Sequence, residues 1–390
     1  MNNLFSIIIP TRNRQKYCLE SVISILKEFN EKCNLVIQDN SSNNSLKIQI
    51  ENLNDPRIIY NYNPIQLSFI DNFEEALNLS NAKYFCILGD DDSITKDIVQ
   101  IVEWMDVNQI ESLASTKVVD YIWPNDDIEK YKDGIISIPS YNGGIEFIDL
   151  EHNLKELVKD GFLFYQKYNL PRTYHGIIKR SAIDEVKKIS GRYFDGLTPD
   201  IYSTVALSTV VKKHCVLDYP FSIAGACPAS ATVNATVGGH SGKLRDAPHF
   251  RNRGEYVWEK SVPEYYSVET IWAETAIKAL KNMLRDDLLI YFNNYRLYIY
   301  GIFINRKYIF ELSISKTLLV YKNLGVKQIS HYFNLLKAVF KIGHKLFYKK
   351  LFIRKETNNS SLVFKNIATL EEAKIKIIIN LKSLNLNGKN

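Results

Sequence analysis

The sequence predicts an α/β protein built on a parallel sheet and followed by a mainly helical, basic C-terminal region. Over the first hundred residues, short β-branched runs alternate with amphipathic stretches, the pattern of βαβ units. Three of the runs end in polar clusters, Thr11–Arg14, Asp39–Ser42 and Asp90–Asp92. Charge is also divided along the chain: residues 1–295 carry 31 Lys/Arg against 39 Asp/Glu, and residues 296–390 carry 18 against 4.

Taken in order, Ser6–Ile9 reads as the first strand, stopped by Pro10 and the turn Thr11-Arg12-Asn13-Arg14. Leu19, Val22, Ile23 and Leu26 recur at helical spacing, and Leu35–Gln38 reads as the second strand. Ile58–Tyr62 is the third. Phe69, Phe73, Ala76, Leu77 and Leu79 fall on one face of the next helix, and the continuous apolar run Tyr84–Leu88 suits a strand buried on both sides. A further helix is expected to start around Thr95. Between about Asp106 and Asn169 the pattern is mixed. Thr198-Pro199-Asp200 is a helix start, and residues 224–254, with several small residues, His240, His249 and three arginines, read as an irregular loop.

With 390 residues and ordinary apolar and charged fractions, the chain can bury a sizeable core, and wholesale disorder is excluded. Five widely spaced cysteines form no C-x-x-C pair, which argues against a zinc site or a disulfide framework and for a reducing compartment. The apolar run Phe5–Ile9 is too short for a secretory signal, and Leu288–Ile304 is broken by Asn293, Asn294 and Arg296 before it could span a bilayer. A cytoplasmic chain is expected, with the basic segment 312–355 as its candidate contact with the inner face of a membrane; a packed helical subdomain with a solvated basic face explains that segment equally well. Nucleic acid is not an expected partner, because the body is acidic and no recognition motif is present.

Open α/β sheets bind ligands beyond the carboxyl ends of their strands, so the three polar clusters should meet in one crevice. In an extended turn Asp90 and Asp92 face one way and Asp91 the other, so two carboxylates can share a cation. Their mutual repulsion at the end of an apolar strand is relieved by a divalent ion, and hard oxygen ligands select Mg²⁺ or Mn²⁺. Magnesium needs only one or two carboxylates when phosphate oxygens and water complete its shell. A solvated acidic turn ahead of the next helix is the plainer alternative.

The ordered set Ser6-Ile7-Ile8-Ile9-Pro10-Thr11-Arg12-Asn13-Arg14, Val36-Ile37-Gln38-Asp39-Asn40-Ser41-Ser42, Asn72–Ala76 and Leu88-Gly89-Asp90-Asp91-Asp92 resembles glycosyltransferase family 2. The resemblance is clear over about residues 4–105 and fainter to about 230. It implies a GT-A fold, with a nucleotide-binding half at about 1–110 and an acceptor half at about 111–255 on one continuous sheet, and leaves 256–390 as the helical basic region. It implies an inverting transferase that takes a nucleotide-sugar, UDP-linked by preference, to a glycan or lipid-linked acceptor in bacterial surface polysaccharide assembly. Pro10, Thr11 and Arg14 would border the nucleotide, Asp39 would contact the base or ribose, and Asn72 would shape the donor pocket. The family often carries Asp-x-Asp-Asp, whereas Gly89 takes the first place here. Asp92 is then the leading metal ligand, Asp90 a ligand through water or a ribose contact, and Asp91 a further donor-side residue. Asp39 in an Asx-turn and Asn72 as a helix-surface residue are the bland readings of those two positions.

Direct displacement needs a base for the acceptor hydroxyl. Asp200 at its helix start is the candidate, Asp195 the rival; ordinary helix-start chemistry also explains Asp200. His240, flanked by glycines, is a candidate metal ligand or donor lid, and His175 is an acceptor-side residue or a structural histidine. Two other classes compete. A nucleotidyltransferase would show a Gly-rich basic loop near the N-terminus, which is missing, and a non-catalytic glycan- or lipid-binding protein would tolerate loss of Asp92 and Asp200.

Overall fold

The computed structural model describes residues 3–230, 241–244, 247–304, 306–323, 325, 330, 333–340, 343, 361–382, 384 and 386. Four strands form a parallel set: β1 (Phe5–Thr11), β2 (Cys33–Asp39), β3 (Ile58–Tyr62) and β4 (Tyr84–Ile87). They are joined by α1 (Gln15–Leu26), α2 (Ser45–Glu51) and α3 (Phe69–Asn78). The following elements are β5 (Ser93–Ile94), α4 (Ile98–Val107), β6 (Ser112–Ser115), β7 (Val119–Ile122), β8 (Ile135–Ile138), β9 (Ile145–Phe147), α5 (Leu150–Lys159), β10 (Gly176–Lys179), α6 (Arg180–Ser190), α7 (Pro199–Val210), β11 (His214–Leu217) and β12 (Ser222–Ala226).

The eight-stranded sheet runs β3-β2-β1-β4-β10-β6-β11-β9, so the parallel half continues without a break into a mixed half through antiparallel β10. This is the single continuous sheet of the expected GT-A architecture. Alternation along the strands explains its two covered faces. Ile7, Ile9, Leu35 and Ile37 pack with α1 and α4, whereas Ile8, Val36, Phe85 and Ile87 pack with α3, α5, α6 and α7.

The first three strands lie where their patterns place them, β1 and β2 slightly longer and β3 identical. Pro10 falls inside β1, beyond the last β4 pairing at Ile8–Ile87, where its missing N–H leaves no ladder bond to β4 unmade. The helix expected around Thr95 begins at Ile98, because Ser93 and Ile94 are drawn into β5 beside β12. Phe69 does not join the buried face of α3; it is 45% exposed.

The expected boundary near 255 is crossed by the chain. Helix Val268–Asn282 supplies Ala273, Ala276, Ile277 and Leu280 to the core on the α7 side. Strand Leu362–Lys365 pairs with β8 in a second, five-stranded sheet, and helix Leu370–Asn380 seats Leu370, Ala373 and Ile377 in the core beside α1. Buried Lys374 fastens that helix, donating to the Ser24 carbonyl at 2.6 Å and pairing with Glu28 at 2.8 Å. All five cysteines are free and buried, and among the described residues no helix is long and apolar enough to cross a membrane.

Candidate active site

A cleft of about 420 Å³ opens at the carboxyl ends of β1 and β4, lined among others by Pro10, Thr11, Arg14, Asn72 and Asp90. A larger recess of about 750 Å³ lies by Asn3, Cys33, Asn34 and Arg57, at the amino ends of β1 and β2. Arg57 there is already paired with Asp55 at 2.6 Å, and open α/β sheets bind ligands beyond the carboxyl ends of their strands, so the cleft at the carboxyl ends is the candidate ligand site.

The cleft is built by turns leaving the strands. Asn13 takes φ 57°, turning the chain so that its side-chain oxygen receives the Ser42 N–H at 2.8 Å while its own N–H reaches Ser41 Oγ at 2.8 Å. Thr11 Oγ1 donates to Asp90 Oδ2 at 2.6 Å, and Arg14 pairs with Asp90 Oδ1 at 2.6 Å and with Asp91 Oδ2 at 3.4 Å. These contacts join all three polar clusters. Burial would lower the Arg14 pKa, but Asp90 and Asp91 more than reverse this and fix it as a cation. Burial pushes the Asp90 carboxyl up to about 7, with Arg14 opposing and Asp91 adding to the rise.

The acidic run divides its work. Only Asp90 lines the cleft. Asp91 is raised by burial and by Asp92; its Oδ2 accepts from the Cys227 N–H at 3.0 Å, and its carbonyl accepts from Trp123 Nε1 at 3.0 Å. Asp92 is 1% exposed and turns away from the cleft. Its Oδ1 accepts from the Gly225 N–H at 2.7 Å, and its Oδ2 from the Gly89 N–H at 2.7 Å and Tyr174 Oη at 2.6 Å, with His175 Nε2 at 3.1 Å. Burial alone would raise this carboxyl, yet His175, Tyr174 and Gly225 hold it below its usual value. The expectation that Asp90 and Asp92 share one side is thus not met: a tight turn, not an extended one, presents them to different partners.

Strand β12 comes so close to this run that a Cβ on Gly225 would lie 1.7 Å from the Asp91 carbonyl oxygen. Gly225→Ala must therefore displace backbone, and a loss of ~1–3 kcal/mol of unfolding free energy is expected in urea denaturation. A variant as stable as wild type would contradict the close approach.

Asn72 lines the cleft, its Nδ2 3.5 Å from the Thr11 carbonyl, and its buried Oδ1 has no hydrogen-bond partner among the described residues. Asp39 does not line it. Fully buried, it accepts from the Ser41 N–H at 2.9 Å, an Asx-turn, and from Tyr60 Oη at 2.7 Å. The neighbouring Asn40 takes the cleft position instead.

Beyond Asp92 lies Asp200, in the first turn of α7 behind Pro199 at the helix start. Its carboxylate makes no hydrogen bond among the described residues, and burial pushes it up to about 6, with His175 pulling it down and Asp92 pushing it up. His175 stands between these carboxylates, with a left-handed φ of 52° and Nδ1 3.0 Å from Ser222 Oγ. The rival Asp195 is occupied: Arg253 sits at 2.6 Å, Lys278 at 3.7 Å and Asn282 Nδ2 at 3.1 Å. His240 lies outside the described residues.

Arg12, His249 and Arg251, to which the sequence patterns assign no role of their own, also line the cleft. Arg12 donates to the Leu67 carbonyl at 3.3 Å and to Gln66, and both burial and the like charge of Arg251 lower its pKa. The like charges of Arg12 and Arg251 on one cleft favour an anionic ligand. The three arginines noted in residues 224–254 were the available signal; Arg251 reaches the site because Arg253 clamps that segment onto Asp195.

The family description "Glycosyl transferase family 2" matches residues 6–161. Abequosyltransferase RfbV of Salmonella typhimurium is 36% identical over 106 residues, 26% of this chain and 32% of that protein. The putative colanic acid biosynthesis glycosyl transferase WcaA of Escherichia coli is 30% identical over 102 residues, 26% of this chain and 37% of that protein. The chain thus matches about a third of the length of each. Among solved structures, S. aureus TarS 1–349 in complex with UDP-GlcNAc aligns over 87% of this chain and 80% of that one, with 15% identity and a TM-score of 0.48. The matched segment, which forms β1 to α5 and carries Thr11, Arg14, Asn72 and the acidic run, is similar to glycosyltransferase family 2.

Proposed function

We propose that the chain transfers a sugar from a nucleotide-sugar, UDP-linked by preference, to a glycan or lipid-linked acceptor in bacterial surface polysaccharide assembly, by one inverting displacement. The observation that carries this reading is the cleft itself: Asp90 stands between Thr11 and Arg14 at the ends of β1 and β4, with Arg12 and Arg251 facing the same space. This charge set suits a diphosphate, and the domain's family and the names of its two curated relatives support sugar transfer.

In this mechanism Arg14, Arg12 and Arg251 neutralise the diphosphate and stabilise charge on it as it leaves. Asn72 offers its Oδ1, unpartnered among the described residues, to a donor hydroxyl. Asp200, free of other bonds among the described residues and poised near 6, takes the proton from the acceptor hydroxyl as that oxygen attacks. Asp195, held by Arg253, does not serve as the base.

The residues fit a divalent cation at Asp90: its carboxylate lines the cleft, Oδ1 pairs with the Arg14 guanidinium, and one carboxylate suffices when phosphate and water complete the shell. Asp92, with both oxygens engaged, does not fit as its partner, and among the described residues no three His, Cys, Asp or Glu side chains are grouped to hold a metal. When bound, Mg²⁺ or Mn²⁺ supplies further positive charge to the leaving group.

Thermal stabilisation by a panel of nucleotide-sugars, with and without Mn²⁺, tests the reading. One donor should raise the melting temperature and Asp90→Asn should weaken its binding about tenfold, ~1.4 kcal/mol. No stabilisation by any donor, or equal binding by the variant, contradicts it.

A further inference from the structure

We propose that the exposed face of the helical residues 333–340 is a docking surface for an anionic lipid bilayer. Ala338 is 3% exposed and packs against Ile299, which fixes the inner side of this helix. The outer side is apolar where a surface helix is normally polar: Phe333 is 60% exposed, Leu336 68%, Val339 39% and Phe340 79%. At 3.6 residues per turn, Val339, Leu336, Phe340, Phe333 and Lys337 follow one another around a single arc of about 160°. Four large apolar side chains side by side on one outward arc mark an interaction surface, unlike scattered single exposures.

Charge identifies the occupant. Residues 312–355 contain ten Lys/Arg and no Asp or Glu, whereas residues 1–295 carry an excess of acid. A negatively charged surface attracts this region and repels the body, which turns the arc towards it. Lys337 lies at the edge of the arc with Nζ 4.4 Å from the Phe333 ring centroid, so a cation borders the apolar side chains, where it can meet a lipid phosphate. Apolar insertion together with basic charge is the combination that holds amphipathic helices in the plane of an anionic interface.

This surface complements transfer to a lipid-linked acceptor but does not depend on sugar transfer, since vesicle binding is read without any donor. The full chain should sediment with vesicles of phosphatidylcholine containing roughly a third phosphatidylglycerol, not with phosphatidylcholine alone, and should be released by high salt. Phe333→Ser, Leu336→Ser and Phe340→Ser together should weaken that binding at least about tenfold, with an unchanged melting temperature and unchanged donor binding. Lys337→Glu should weaken it less and remove part of the salt dependence. Failure of the wild type to bind anionic vesicles, equal binding by the triple variant, or an oligomer that the triple variant dissolves would each overturn the proposal, the last by assigning the face to a second copy of the chain.

Discussion

Replacing Asp200 with asparagine is expected to lower turnover by about 10²- to 10⁴-fold, the usual contribution of a positioned general base, while leaving donor binding intact. The substitution keeps shape and removes only the capacity to take a proton. Because burial sets the Asp200 carboxyl near 6, the wild-type kcat/KM should rise with pH through about 6 as that carboxyl ionises, and this limb should vanish in the variant. Asp195→Asn should behave differently. It loosens Arg253 and the segment carrying His249 and Arg251, so it should weaken donor binding and keep the pH profile. An Asp200→Asn enzyme with wild-type turnover would remove Asp200 from the base role.

The second large effect concerns Asp92, and it is expected in stability. Truncation to alanine leaves the N–H groups of Gly89 and Gly225, Tyr174 Oη and His175 Nε2 without their shared acceptor inside the protein. Loss of one partner from such a buried charged network costs on the order of 3–5 kcal/mol. Urea denaturation of Asp92→Ala should show that loss, and the difference from wild type should be the same with and without added Mn²⁺. A residue serving only as a metal ligand behaves the opposite way: its loss costs activity, spares the fold and weakens the response to metal.

The difference between these two aspartates could not be read from their order in the chain. The βαβ half was exposed by its pattern because its inner strands β1, β2 and β4 are buried on both faces, and the clusters Thr11–Arg14 and Asp90–Asp92 stood out because nothing local explained their polarity. What sorts Asp90 from Asp92 is distant: Tyr174 and His175 ahead of β10, and Gly225 in β12. The carboxylate of Asp39 accepts from the Ser41 N–H and from Tyr60 Oη, and only the first of these contacts is local enough to read from the chain. Arg12 was hidden inside a turn motif, and Arg251 lies in a loop whose path depends on Arg253 meeting Asp195. The tail shows the same limit. Its composition announced basic helices, but the return of Leu362–Lys365 to β8 and the burial of Lys374 against α1 are pairings across more than 200 residues.

The central claim, that the cleft at Asp90 and Arg14 holds a nucleotide-sugar for transfer, is tested most directly by identifying the nucleotide released when the chain consumes a donor. Slow hydrolysis of the stabilising nucleotide-sugar, followed by chromatography, should yield the nucleoside diphosphate, and Asp90→Asn should reduce that yield about tenfold or more. Release of a nucleoside monophosphate, or the same yield of diphosphate from wild type and Asp90→Asn, would contradict it.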